Sequence, residues 1–147
     1  MSENQVEILL VEDNFNDAEL TIRSLRKSKL VNEILHLKDG EAAIDYLFGT
    51  GAYDGRDIEI KPKLILLDLK MPKLNGIEVL EKIKSHSHTK TIPVVVLTSS
   101  RENPDIERCY KLGVNSYIVK PVEFINFSKA VTDLGLYWLL LNHPPVQ

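Results

Sequence analysis

The sequence predicts an α/β fold: a single parallel sheet of five strands with helices on both faces. Three observations carry this. Five short apolar runs, rich in β-branched residues, recur along the chain without hydrophobic–polar alternation, the pattern of strands buried on both faces. Amphipathic stretches with helical spacing lie between them, and β–α alternation of this kind leads to a parallel sheet. Each run closes in polar or turn residues, which end a strand.

The first run is Val6 to Val11 (VEILLV), closed by Glu12-Asp13-Asn14. A helix follows over Asp17 to Ser28, with Ala18, Ile22 and Leu25 at helical spacing. Asp17 and Glu19 stand in its first turn and Arg23, Arg26 and Lys27 in its last, a charge order that complements the helix dipole. Asn16 with Glu19 predicts a capping box. Glu33 to Leu37 is a weaker second run, and Gly40 to Phe48 a second helix through Ala43, Ile44, Leu47 and Phe48. The next segment, Gly49 to Lys61 (GTGAYDGRDIEIK), has three glycines and no clean period, so it predicts a surface loop of unusual length. Its Gly49-Thr50-Gly51 follows a helix pattern, whereas a dinucleotide-binding glycine motif must follow a strand.

Leu64 to Leu67 is the third run, closed by Asp68; the turn pair Asn75-Gly76 then opens a helix marked by Ile77, Leu80 and Ile83. Pro93 to Leu97 is the fourth, closed by Thr98-Ser99-Ser100. Asn103 and Pro104 open a helix that Gly113 closes. Ser116 to Val119 is the fifth run, closed by Lys120-Pro121, and a last helix starts near Glu123. His86 and His88 lie between a helix and a strand without an acidic or cysteine neighbour, so an exposed loop is expected there rather than a zinc site.

A length of 147 residues suits one domain. The expected organisation is a single domain over 1–147, with a core of about 6–134, an apolar extension over 135–147 and no output domain. With 18 Lys+Arg against 21 Asp+Glu, no sequence-wide basic field exists to hold nucleic acid. The lone Cys109 cannot form an intrachain disulfide, the N-terminus is polar and acidic, and no apolar run has the length of a membrane span. The expectation is a cytoplasmic protein that binds neither nucleic acid nor membrane.

Ligands of parallel α/β sheets bind beyond the carboxyl ends of the strands. The residues there are Glu12 and Asp13, then Asp68, Thr98 and Lys120. Clustered carboxylates repel unless protonated or held by a cation, and a hard divalent ion such as Mg²⁺ suits an oxygen set. Such an ion bridges phosphoryl oxygens; Thr98 can donate to one, and Lys120 can supply fixed positive charge. No His or Cys lies at these ends, which leaves carboxylate as the available nucleophile. Read alone, Glu12 and Asp13 also suit a helix-capping pair, and Thr98 an ordinary strand-end hydroxyl.

The set resembles the receiver domain of two-component response regulators, from Val6 to Leu141. The resemblance rests on Leu9-Leu10-Val11-Glu12-Asp13-Asn14, Leu67-Asp68-Leu69-Lys70-Met71-Pro72 leading to Asn75-Gly76, Leu97-Thr98-Ser99 and Val119-Lys120-Pro121. It implies a doubly wound (βα)5 flavodoxin-like sandwich with strand order 2-1-3-4-5 and an extended C-terminal helix. It implies Asp68 as phosphoacceptor, and Mg²⁺ held by Asp13, Asp68 and the Lys70 backbone carbonyl, with Glu12 acting indirectly. Thr98 and Lys120 would hold the phosphoryl group, Tyr117 would be the switch aromatic, and Lys120-Pro121 a cis peptide, which X-Pro bonds adopt at low cost. The implied partner is a sensor histidine kinase.

Two rivals use similar parts. A haloacid-dehalogenase-type phosphatase needs Asp-x-Asp where this chain has Asp68-Leu69-Lys70. A receiver-like interaction module that works without phosphorylation differs only in leaving an intact site unused. A flavodoxin-like carrier shares the architecture, but no phosphate-binding loop is present.

The tail crowds Leu134, Leu136, Tyr137, Trp138, Leu139, Leu140 and Leu141 together. One stripe, formed by Phe124, Phe127, Val131, Leu134, Trp138 and Leu141, can face the core. Leu136, Tyr137, Leu139 and Leu140 then form an apolar patch expected to mediate a homodimer, together with the fourth- and fifth-helix face. The long 49–61 loop and this extension resemble the regulators that partner bacterial phytochromes, especially the cyanobacterial kind, which implies a light-sensing kinase.

Overall fold

The computed structural model describes residues 6–27, 33–99, 104–123, 125, 126 and 129. Five strands form one sheet: β1 (Ile8–Val11), β2 (Ile34–Leu37), β3 (Leu64–Asp68), β4 (Val94–Thr98) and β5 (Ser116–Val119). All pairs are parallel and the order is β2-β1-β3-β4-β5, the doubly wound order that was expected. Helices α1 (Phe15–Lys27), α2 (Gly40–Phe48), α3 (Gly76–Lys84) and α4 (Asp105–Lys111) connect them.

The apolar runs form strands because both faces of the sheet are covered. Leu9, Val11, Ile65, Leu67, Val94 and Val96 pack on one face with Ala43 and Leu47 of α2 and Val79, Leu80 and Ile83 of α3. Their alternates Ile8, Leu10, Leu64, Leu66, Val95 and Leu97 pack on the other with Ala18 and Leu25 of α1. Successive side chains of a strand point to opposite faces, so an unalternating run is what two covered faces require. Cys109 of α4 is fully buried in the first of these cores.

The start of α1 differs from the sequence expectation. The helix begins at Phe15, two residues early, and the Asp17 N–H donates to Asn14 Oδ1 at 2.9 Å. Asn14 therefore caps it and the expected Asn16–Glu19 box does not form: the cap is the residue at which the chain leaves the strand end, and that is Asn14. A complete capping box does occur at α3, where Asn75 and Glu78 exchange side-chain-to-backbone bonds at 3.0 and 3.1 Å. Asp39 caps α2 through the Ala42 N–H.

The 49–61 segment is more structured than its lack of period implies. A 3₁₀ turn spans Gly51–Tyr53. The Arg56 guanidinium lies 3.9 Å from the centre of the Tyr46 ring and donates to the carbonyls of Asp57 and Ile60, while Tyr53 meets Tyr46 edge-on. Cation–π and ring contacts of this kind leave no periodic trace. His86 and His88 both pack edge-on against Phe48, at 4.7 and 4.8 Å between centroids, which gives the H-x-H pair a packing role at the end of α2. Backbone at Ile125, Asn126 and Lys129 is helical, after the predicted start near Glu123. Leu136, Tyr137, Leu139 and Leu140 lie outside the described residues. Among the described residues no helix is long and apolar enough to cross a membrane.

Candidate functional site

Because β1 and β3 are adjacent and in register, Val11 opposite Leu67, their carboxyl ends present Glu12, Asp13 and Asp68 side by side. One carboxylate oxygen from each lies within 4.8 Å of the others. Glu12 is fully buried and Asp68 nearly so, whereas Asp13 is exposed at the mouth. β4 and β5 bring the remaining pieces. Thr98 ends β4, buried, and its carbonyl accepts from the Lys120 N–H at 2.7 Å. The Lys120–Pro121 peptide is cis.

The Lys120 ammonium reaches back across the cleft to Glu12 Oε1 at 2.7 Å and Asp68 Oδ2 at 3.3 Å. It also meets Asp17 Oδ2 at 3.2 Å. Burial works against its charge, but the hydrogen bond to Glu12 and the field of Asp68 outweigh this, so Lys120 is held protonated. Asp68 Oδ1 accepts from the Lys70 N–H at 3.3 Å, which turns the chain sharply after β3. Lys70 is exposed, and it occupies the place where a dehalogenase-type phosphatase needs its second carboxylate. Tyr117 on β5 is half-buried and meets Tyr110 of α4 edge-on, with 6.1 Å between centroids.

Glu12 holds its proton far more tightly than an ordinary carboxyl. Burial, a hydrogen bond with Asp68 and the charge of Asp68 push its carboxyl up to about 7, against the opposing bond to Lys120. Its Oε2 accepts from the Asn14 N–H at 3.2 Å. The folded state therefore holds this proton more tightly than the unfolded chain, whose ordinary value is 4.5. Without divalent ions, stability should fall as pH rises from about 4.5 to about 7 and level off above. Urea denaturation of wild type beside Glu12→Gln checks this: the wild type should lose ground to the variant steadily across that window. A constant difference would contradict it.

Two contributors were not visible in the sequence reading. His36 on β2 donates from Nε2 to the Glu12 carbonyl at 2.7 Å, which fixes the backbone just before Asp13. In the sequence Asp17 shows only as a helix-dipole acid, yet it touches Lys120 across 103 positions. Gly76 at the start of α3 is a third constraint. A Cβ there would strike the Asp68 carbonyl oxygen and sit 2.7 Å from Leu69 Cα, so only glycine lets α3 begin against the turn that carries Asp68.

The donor set is all oxygen, with paired acids buried beside a single ammonium, and this suits a hard divalent cation. The chain's similarities agree with the geometry. The response regulator receiver domain family matches residues 8–132. Response regulator Rcp1 of Synechocystis sp. is 41% identical over 90% of this chain and 88% of its own length. The probable methanogenesis regulatory protein FilR2 of Methanothrix harundinacea is 41% identical over 94% and 86%. The solved bacteriophytochrome response regulator AtBRR is 52% identical with a TM-score of 0.83, covering 96% of this chain and 100% of that one. The Mn²⁺-bound form of Rcp1 superposes with a TM-score of 0.74 at 39% identity, over 97% and 100%. This chain belongs to the response regulator receiver domain family.

Proposed function

We propose that this receiver takes a phosphoryl group on Asp68 from the phosphohistidine of a sensor histidine kinase and thereby switches its protein contacts. The observation that carries the reading is the Lys120 ammonium, held at 3.3 Å from Asp68 inside the acid cluster. An Asp68 carboxylate oxygen forms the new bond to phosphorus as the bond from phosphorus to the donor's imidazole nitrogen breaks, and that nitrogen keeps the electron pair. Lys120 balances charge on the phosphoryl oxygens, and the Thr98 hydroxyl donates to one of them. Tyr117 then follows Thr98 and alters the face next to α4. Asp13, Asp68 and the Lys70 carbonyl would hold Mg²⁺, with Glu12 acting indirectly. When bound, the ion neutralises charge shared among phosphoryl oxygens.

Kinship with the bacteriophytochrome response regulator AtBRR supports a phytochrome as the kinase. The reading extends to a single receiver over 1–147 that acts in the cytoplasm and dimerises through the fourth- and fifth-helix face and the apolar extension bearing Leu136, Tyr137, Leu139 and Leu140. The chain modifies its own side chain and is a signalling protein rather than a turnover enzyme.

Intact mass after incubation with acetyl phosphate tests the central step. One phosphoryl group should add to the wild type with Mg²⁺, none with chelator, and none to Asp68→Asn. Addition to Asp68→Asn would assign the acceptor elsewhere.

A further inference from the structure

Lys120 has three N–H donors and three carboxylates around it, at 2.7 Å (Glu12), 3.2 Å (Asp17) and 3.3 Å (Asp68). Two of the three belong to the acid cluster. Asp17 does not: it stands in the first turn of α1, where the Asn14 cap fixes its backbone. We propose that Asp17 is a positioning residue that holds the Lys120 ammonium in the resting state and competes for it with the phosphoryl group on Asp68. This rests on Asp68 being the phosphoacceptor.

The competition follows from geometry. The ammonium donates a hydrogen bond to Asp17 and is ion-paired with Glu12 and Asp68, and turning towards a phosphoryl oxygen on Asp68 draws it away from one of the flanking carboxylates. Releasing Glu12 is unfavourable, because its side chain is 0% exposed and no water can replace the ammonium, so it would be left as a buried charge or have to take up a proton. Asp68 carries the phosphoryl group itself and stays beside Lys120. The Asp17 side chain is 41% exposed, so water replaces the lost partner. Asp17 is the one to let go. Its pair with Lys120 therefore stabilises only the unmodified state and biases the protein towards it. Phosphorylation would also cut the tie between the first turn of α1 and the end of β5.

Beryllium fluoride, a phosphoryl mimic, is the probe, titrated calorimetrically in the presence of Mg²⁺. Asp17→Asn keeps the shape of the side chain and removes its charge, and it should bind the mimic about three- to tenfold more tightly than wild type. Damage to the fold would weaken binding, so a gain separates competition from mere structural support. Asp17→Glu, which restores the charge, should return affinity towards wild type. In the unliganded protein, NMR of the Lys120 Nζ protons should show faster exchange with solvent in Asp17→Asn. Unchanged or weaker affinity in Asp17→Asn, or unchanged Lys120 exchange, would overturn the proposal. If the wild type shows no Asp68-dependent binding of the mimic, the phosphoacceptor reading falls instead, and the Lys120 exchange rate alone decides whether Asp17 holds the ammonium.

Discussion

Lys120→Met should destabilise the protein by about 3–5 kcal/mol at pH 8 in the presence of chelator. Methionine fills much the same volume, so the loss isolates the charge. The Lys120 ammonium bridges Glu12, Asp17 and Asp68, and Glu12 is wholly enclosed. Without it, the two buried carboxylates face each other uncompensated. The penalty should shrink at pH 5, because the Glu12 carboxyl titrates near 7 even with Lys120 present and takes up a proton once the counter-charge is gone. Added Mg²⁺ should recover part of the loss at pH 8. Urea denaturation at both pH values, with and without Mg²⁺, measures all of this. An equal loss at pH 5 and pH 8 would mean that packing, not charge, made the difference.

Gly76→Ala should cost about 1–3 kcal/mol, although alanine is ordinarily the better helix former by about 1 kcal/mol. The added methyl meets backbone, the Asp68 carbonyl and Leu69 Cα, rather than a side chain that can swing aside. Either α3 retreats or the turn after β3 moves. The Gly76 N–H is bonded to the Leu69 carbonyl at 3.0 Å, so the two segments shift together and the Asp68 carboxylate is re-aimed. Uptake of phosphoryl from acetyl phosphate should then fall by roughly ten- to a hundredfold. The variant should be assayed where it remains folded, and wild-type uptake by a destabilised variant would show that the turn tolerates the methyl.

Much of the fold was legible because buried parallel strands write themselves as unbroken apolar runs. Leu64 to Leu67 and Pro93 to Leu97 each lie within one residue of β3 and β4. The acid cluster was legible for a related reason: in this topology the residue that ends a run is also the residue that faces a ligand. What stayed hidden depends on contacts distant in sequence. Asp17 looks like any first-turn helix acid until the fold sets it against Lys120, and His36 like an interruption of a weak strand until β2 sets it beside Glu12. The sequence does not single out Asn14 as the cap, because Asn14, Asn16 and Asp17 are all competent capping residues. Only the exit direction of β1 chooses among them. The order within 49–61 comes from one guanidinium and two tyrosine rings, for which periodicity carries no signal.

The sheet order has a consequence for how this protein tolerates being cut. The strands bearing Glu12 and Asp68 are nearest neighbours in the sheet, yet the chain between them leaves β1, builds β2 at the edge and returns through the 49–61 loop. A single protease nick in that loop would place Glu12 and Asp13 on one fragment and Asp68, Thr98 and Lys120 on the other. The ionic cluster would then be an intermolecular clasp, and a divalent ion would act as glue between two halves. Reassembly of such fragments would be driven by metal as well as by the apolar seam between β1 and β3.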